Sequence, residues 1–308
     1  MLRVVLGRTV SGLVTLLLAI TIAFFLARGT GSPAEQILGD GATPQQIADL
    51  ERHLGLDRPL LVQYVDYLGH LVTFDLGDSL RYHASNLDLI TSRMPASFTL
   101  ALVAMLIAVV VGIPLGILAA RHEGGLIDRI ASGGALLGQS MPLFWLGLML
   151  ILIFSVELGW LPAGQFNSPS SVILPALTLS TLPTAQIARL TRSSMGEVLG
   201  AGFITAAEAR GIARWRITLV HAFRSASLPV VTVVGLQAGM LLSGAVTVEY
   251  VFGWPGLGTL ALQAVQARDF TLVQGIVVVG ATIFVLINLA VDVLYGLVDP
   301  RIREGASA

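Results

Sequence analysis

The segment FITAAEARGIARWRITLVHAFRSASLP, residues 203–229, decides how this chain is read. It carries Arg210, Arg214, Arg216 and Arg224 against the single acidic residue Glu208, and it lies between two long apolar runs. A charged stretch flanked by segments of bilayer length is not a loop of a soluble core. It is a connection on a membrane face, built to dock against something. Thr205, Ala206 and Ala207 form a patch of small side chains that lets a helix approach a partner closely, and Gly211 permits a backbone turn that other residues resist. The same residues also suit a basic amphipathic helix lying on lipid, and the pattern alone leaves both readings open.

Composition supports a membrane protein. Of the 308 residues 55% are hydrophobic and 12% charged, where a soluble domain carries about a quarter charged residues. All 18 basic side chains are Arg, because the chain has no Lys. A phosphate-binding loop of the Walker type needs a lysine ammonium at the terminal phosphates, so any ATP hydrolysis that drives this protein takes place on another chain. The absence of Cys removes disulfides, thiolate metal sites and cysteine nucleophiles. His122-Glu123 is followed by Leu126 where a zinc protease motif needs a second His. The chain is therefore expected to be non-catalytic, with no metal, no cofactor of its own and no nucleic-acid partner.

About 20 residues at 1.5 Å rise cross the hydrocarbon of a bilayer. Charge-free runs of that length occupy 9–27, 94–120, 130–156, 225–248 and 270–291, the last continuing past Asp292 to about Val298. The uncharged stretch 158–188 contains Pro162, Pro169, Pro175 and Pro183; it predicts a loop followed by a further helix over roughly 172–188. The fold class expected is an all-α membrane protein with six transmembrane helices. A cytoplasmic N-terminus places twelve of the 18 Arg on the inner side, six of them between 189 and 224, so both termini and that loop are assigned to the cytoplasm of a plasma (inner) membrane protein. The first run is longer than a typical signal-peptide core, and Ala27-Arg28-Gly29 is a poor cleavage site, so it is read as a retained helix.

Residues 28–93 hold nine acidic residues against five Arg, which suits an outer surface. Thr43 is a predicted N-cap, with Pro44 at the first helical position and Gln46 completing a capping box. Ile47, Leu50 and Leu54 share one face of that helix, and Gly55 closes it. A second amphipathic pattern runs through Leu60, Leu61, Tyr64, Val65, Leu68 and Leu71. By pattern this segment is either a small cap on the membrane domain or a platform for a soluble partner.

Motifs spread along the chain carry a resemblance. LGLDRPLLVQY and FDLGDSL in the outer segment, SMPLFWLG (140–147) with LGWLPAG (158–164), and Glu249-x-x-Phe252-Gly253-x-Pro255-Gly256-x-Gly258 occur in order. Asn288-x-x-x-Asp292 with Leu297-x-Asp299-Pro300-Arg301 follows, and the 203–229 segment adds His221-Ala222-x-Arg224 before Leu228-Pro229. Together they resemble the first of the two permease subunits of dipeptide and oligopeptide ABC importers. The resemblance implies the type I importer fold and a second, homologous permease. It also implies two ABC ATPase subunits that carry ATP and Mg, an extracytoplasmic substrate-binding protein, and membrane lipid around the bundle. It implies ATPase coupling through Thr205, Ala206, Ala207, Glu208, Arg210, Gly211, Arg214, His221 and Arg224. It further implies an outer scoop or gate loop of Glu249, Phe252, Gly253, Trp254, Pro255, Gly256 and Gly258, with Trp254 near an exposed tip. The general importer loop begins Glu-Ala-Ala, whereas Thr205 stands first here, so no salt bridge from that position is carried over.

The domain division expected is 1–93 for the first helix and outer segment, 94–298 for the permease domain with its coupling loop at 189–228, and 299–308 for a cytoplasmic tail. Gln237, Asn288 and Asp292 are candidate pathway or structural polar residues; Asp292, about 10 Å inside the last helix, is assigned the structural role. Gly235 and Gly239 form a small-residue pair that permits close helix packing. Cargo is expected to be short peptides, with nickel or another small solute as the alternative. An ion-coupled secondary transporter would carry its own ion site near the midplane, and only Asp292 offers a start for one; a membrane scaffold would not need the 205–229 spacing.

Overall fold

The computed structural model describes residues 2–29, 34, 38, 41–53 and 55–298. Among these residues the regular structure is helical, apart from one isolated bridge between Asp78 and Ser85. The helices are α1 (Leu2–Gly29), α2 (Pro44–His53), α3 (Leu60–Val72), α4 (Asn86–Arg121), α5 (Leu126–Ser140), α6 (Leu143–Leu150), α7 (Ile173–Leu199), α8 (Gly202–Ala209), α9 (Phe223–Val251), α10 (Leu257–Gln266) and α11 (Phe270–Val298). Five are long and apolar enough to cross a membrane, six spans if α5 and the helix that follows it count as one. A bilayer core offers the backbone no hydrogen-bond partner, so closed helices are the form these apolar runs must take.

The third span is not the continuous helix expected over 130–156. It breaks at Met141-Pro142 and bends by 105°. Proline lacks an N–H and pushes the preceding residue out of the helical region. Met141 accordingly adopts φ −81°, ψ 129°, and the Pro142 carbonyl accepts the Leu146 N–H that starts α6. Beyond α6, Ile151–Glu157 continues in wider i→i+5 turns. The fourth span also differs in length: α7 extends to Leu199, well past the end of the apolar run. Its added turns are held by Arg192, whose guanidinium makes paired hydrogen bonds to the buried carboxylate of Asp128 on α5. Asp128 also accepts from the Gly124 amide at 2.9 Å.

The chain divides into two compact units, one built on Ala96–Pro255 and the other on Thr9–Pro95 with Gly256–Leu286. In the first, α7 is the most interior span. It is crossed closely by α4, where a Cβ at Gly116 would lie 2.5 Å from both the Ala188 carbonyl oxygen and the Thr191 Cβ, and one at Gly112 would lie 2.9 Å from the Thr184 carbonyl oxygen. Gly112-x-x-x-Gly116 is thus a small-residue pair at which two helix backbones meet, the way membrane helices gain packing without a hydrophobic drive. Pro183 in α7 and Pro229 in α9 sit inside helices.

In the second unit the buried carboxylate of Asp269 is the main clasp. It accepts from the Ser79 hydroxyl, the Arg81 amide (3.1 Å) and the Leu272 amide (3.2 Å), fastening the 75–85 loop to the start of α11. The predicted cap is present: the Thr43 amide donates to Gln46 Oε1 (2.9 Å) and the Ile47 amide to the Thr43 carbonyl (3.1 Å). Gly55, at φ +67°, follows α2 as expected; Leu54 lies outside the described residues.

The α4–α7 crossing yields a paired prediction. Gly116→Ala should lower the melting temperature of the purified protein in detergent, because backbone and a β-branched side chain must shift, an overpacking cost of about 1–3 kcal/mol. Gly133→Ala on α5, where an added Cβ meets nothing within 4 Å, should leave it unchanged or raised.

Candidate functional site

Three short pieces build the charged segment. α8 follows α7 after Gly200-Ala201, Gly211 turns the chain, and Arg214–Arg216 with the wide turns of Ile217–Ala222 leads into α9. Gly211 has φ +73° and donates its amide to the Glu208 carbonyl at 2.9 Å, so the turn expected there is present in the left-handed region that glycine alone adopts freely. α8 has one fully buried residue, Ile204. It enters a cluster with Ile117 and Ala120 of α4, Met195 of α7, Ile217, and Ala222 and Ala226 at the head of α9. The short helix is therefore seated on the ends of three long ones.

Most of its other side chains face outward. Thr205, Ala206, Glu208, Arg210, Gly211, Arg214 and Arg224 are exposed. Ala207 is half-buried against the Ile204 cluster and His221 is half-buried, so Ala206 rather than Ala207 carries the open small-residue surface. A groove of about 290 Å³ lies beside α8, lined by Arg121 and Ala120 from α4, Leu199, Ile204, Glu208, Arg214, Ile217 and Thr218. Phe203 and Trp215 in the same segment are also exposed and were not among the expected residues. A Trp between two Arg in a polar segment was the legible signal for Trp215.

The 249–258 connection departs from expectation. Trp254 is 0% exposed, not at a tip. Its indole N–H donates to the Ala96 carbonyl on α4 at 2.9 Å, and its amide donates to the Glu249 carbonyl at 2.8 Å. Glu249 is equally buried and accepts from the Ser97 hydroxyl at 2.6 Å. Phe252, Gly256 and Gly258 are buried, Pro255 is half-buried, and Gly253 is exposed at the turn. Gly256 precedes α10, so Leu257 and Gly258 belong to a regular helix rather than to the irregular stretch predicted through Gly258. Tyr250 is exposed within the connection, and the 158–168 loop adds two more exposed aromatic groups: Trp160 is 70% exposed, and Phe166 sits edge-on to Trp254 at 5.0 Å.

Gln237 is buried on α9, and its amide donates to Gln186 Oε1 on α7. Asn288 is half-buried on α11. The side chain of Asp292, and the whole of Asp299-Pro300-Arg301, lie outside the described residues. Among the described residues no group of three or more His, Cys, Asp or Glu is placed to hold a metal ion.

Comparisons with known proteins place the chain in a family. The family model described as "Binding-protein-dependent transport system inner membrane component" matches residues 112–304, and its N-terminal companion matches 1–101. The dipeptide transport system permease protein DppB of Alkalihalophilus pseudofirmus is 42% identical, over 94% of this chain and 96% of that protein. DppB of Escherichia coli K12 is 42% identical over 89% and 90%. The glutathione transport system permease protein GsiC of Salmonella typhimurium is 41% identical over 98% and 99%. Among solved structures, an inward-facing MetNI methionine ABC transporter chain superimposes with a TM-score of 0.59 at 19% identity, covering 68% of this chain and 96% of its own; that likeness speaks for the fold. With two family models spanning nearly its whole length, the chain belongs to the inner membrane components of binding-protein-dependent transport systems.

Proposed function

We propose that this chain is one of two permease subunits that enclose the pathway of an ATP-driven importer of short peptides. The observation that carries the reading is α8: an exposed helix with small side chains, seated on the ends of α4, α7 and α9 and followed by a left-handed turn at Gly211. Such a mount transmits a push or pull from a partner to three membrane helices at once. The partner is an ATPase subunit on the cytoplasmic side, which hydrolyses ATP with Mg; this chain supplies no catalytic group. A second permease completes the pathway, and a binding protein delivers cargo from outside. Peptide cargo is supported by the dipeptide and glutathione systems named for the relatives.

At the outer end, the buried Glu249–Ser97 and Trp254–Ala96 bonds tie the 249–254 turn to α4 about three turns past its first residue. This turn acts as a fixed support of the outer gate. The exposed 158–168 loop, with Trp160, is the group positioned to meet the binding protein.

Uptake of labelled di- to tetrapeptides by the reconstituted complex tests the reading. It should require ATP and the binding protein and persist when ion gradients are collapsed. Uptake driven by an ion gradient without ATP, or uptake of nickel ions but not peptides, would overturn it.

Ala206→Arg should reduce peptide uptake by about tenfold or more, the scale of losing a contact hot spot, while the variant keeps wild-type yield and melting temperature. Wild-type uptake in Ala206→Arg would place the coupling contact elsewhere.

Trp160→Ala and Trp254→Ala should separate cleanly. Trp254→Ala removes a fully buried ring, a loss of about 3–5 kcal/mol, and should depress yield and thermal stability. Trp160→Ala should leave both intact and lower the ATPase stimulation given by the binding protein in nanodiscs. The reverse pattern would return the contact role to Trp254.

A further inference from the structure

The helix α3 is amphipathic in three directions. One side packs on α1: the rings of Tyr64 and Tyr67 lie 5.3 and 5.5 Å from that of Phe24, and the Tyr64 hydroxyl is 2.7 Å from the Thr21 hydroxyl. Gln63, the buried residue of α3, has its amide donated to the Leu56 and Arg58 carbonyls. A second side is apolar and open: Leu61, Val65 and Val72 are 74%, 64% and 81% exposed. With half-buried Leu68 they fall at i, i+4, i+7 and i+11, a single stripe. The third side is polar and exposed, with Asp66 paired to Arg58 at 3.3 Å and His70 to Asp75 at 3.0 Å. The expected face through Leu60, Leu61, Tyr64 and Val65 is thus split, and Leu61 and Val65 turn away from the protein.

The contacts with α1 fix the depth of α3. The apolar span of α1 ends at Arg28. Thr21 lies about 10 Å below that end and Phe24 about 6 Å below it, at 1.5 Å per residue. α3 therefore sits level with the last two turns of a membrane-spanning segment. Beside it, Ile22, Phe25 and Leu26 of α1 are also exposed apolar side chains, so the open stripe of α3 continues a surface that already faces hydrocarbon. Interfacial helices bury their apolar side about 5–10 Å into the boundary between headgroups and acyl chains, which is the depth found here. Tyr64, Tyr67 and the guanidinium of Arg28, 5.3 Å over the Phe24 ring, supply the aromatic and cationic girdle of such a boundary.

We propose that α3 is an interfacial helix, embedded beside α1 in the leaflet nearer Arg28, with Leu61, Val65 and Val72 among lipid acyl chains and Asp66 and His70 toward water. The occupant of the apolar stripe is lipid rather than protein. A soluble partner arriving from water meets the polar side first, and the stripe is continuous with the lipid-facing side of α1.

This chain has no Cys, so single Cys residues can be placed and labelled in it with no other change to its sequence, and the labelled subunit is then assembled with its partners. Spin labels at Leu61→Cys, Val65→Cys, Val72→Cys, Asp66→Cys and His70→Cys are read in the assembled transporter, in vesicles of phosphatidylethanolamine and phosphatidylglycerol. Power saturation compares collisions with oxygen, which concentrates in lipid, and with a water-soluble nickel chelate. Labels at 61, 65 and 72 should favour oxygen severalfold, as a label at Phe25→Cys does, while those at 66 and 70 should favour the chelate. Chelate-dominated collisions at all five positions would overturn the proposal by placing α3 in water. Low collision rates with both probes at 61, 65 and 72 would overturn it by showing that protein, either the second permease or the binding protein, covers the stripe. Three independent stripe positions keep the test decisive if one variant fails to assemble.

Discussion

The α4–α7 crossing at Gly112 and Gly116 is the contact on which the rest of the Ala96–Pro255 unit depends. The two backbones meet there with only the Ile187 and Thr191 side chains of α7 beside the glycines, and this holds α4 against α7. From Ser97 to Ala120 that helix covers about 35 Å at 1.5 Å per residue. At one end Ala96 and Ser97 receive Trp254 and Glu249. At the other, Ile117 and Ala120 form part of the seat of α8, and Arg121 lines the groove beside it. A single helix, held by glycines toward its C-terminal end, thus joins the proposed gate support to the proposed docking surface.

In the proposed mechanism this arrangement gives the charged segment its use. An exposed helix on a flexible loop would bind a partner without moving anything. Here Ile204 locks α8 into the ends of three helices, so a displacement of α8 is a displacement of the bundle. The Asp128–Arg192 pair holds α5 to the last turns of α7.

Much of this was legible in the sequence, and the exceptions have physical reasons. Local rules held where the chemistry is local: Thr43 caps α2, and Gly211 turns the chain, because cap and turn are decided within four residues. Hydropathy located the spans but could not see the break at Pro142, since a run without charges looks continuous whether or not its backbone is. The small-residue pair singled out, Gly235 and Gly239, was a pattern with no partner attached, whereas the contact at Gly112 and Gly116 needs the Thr184 and Ala188 carbonyls to define it. Trp254 was misplaced for a similar reason. The family resemblance implied an exposed tip, but the place of Trp254 is set by a carbonyl 158 positions away. Asp269 drew no notice because its partner Ser79 is 190 positions distant. In α3, apolar periodicity could not say which of two apolar sides met protein; the contacts of Tyr64 and Tyr67 with Phe24 decided it.

The central claim is that α8 is the surface through which another subunit moves this one. A photo-crosslinking amino acid at Ala206, in the complex purified from its own membrane, tests this directly, with Gly133 as a control position away from α8. The account predicts a single protein adduct at 206, identified by mass spectrometry as the ATPase subunit, and none at 133. Adducts at 206 that contain lipid alone would contradict it.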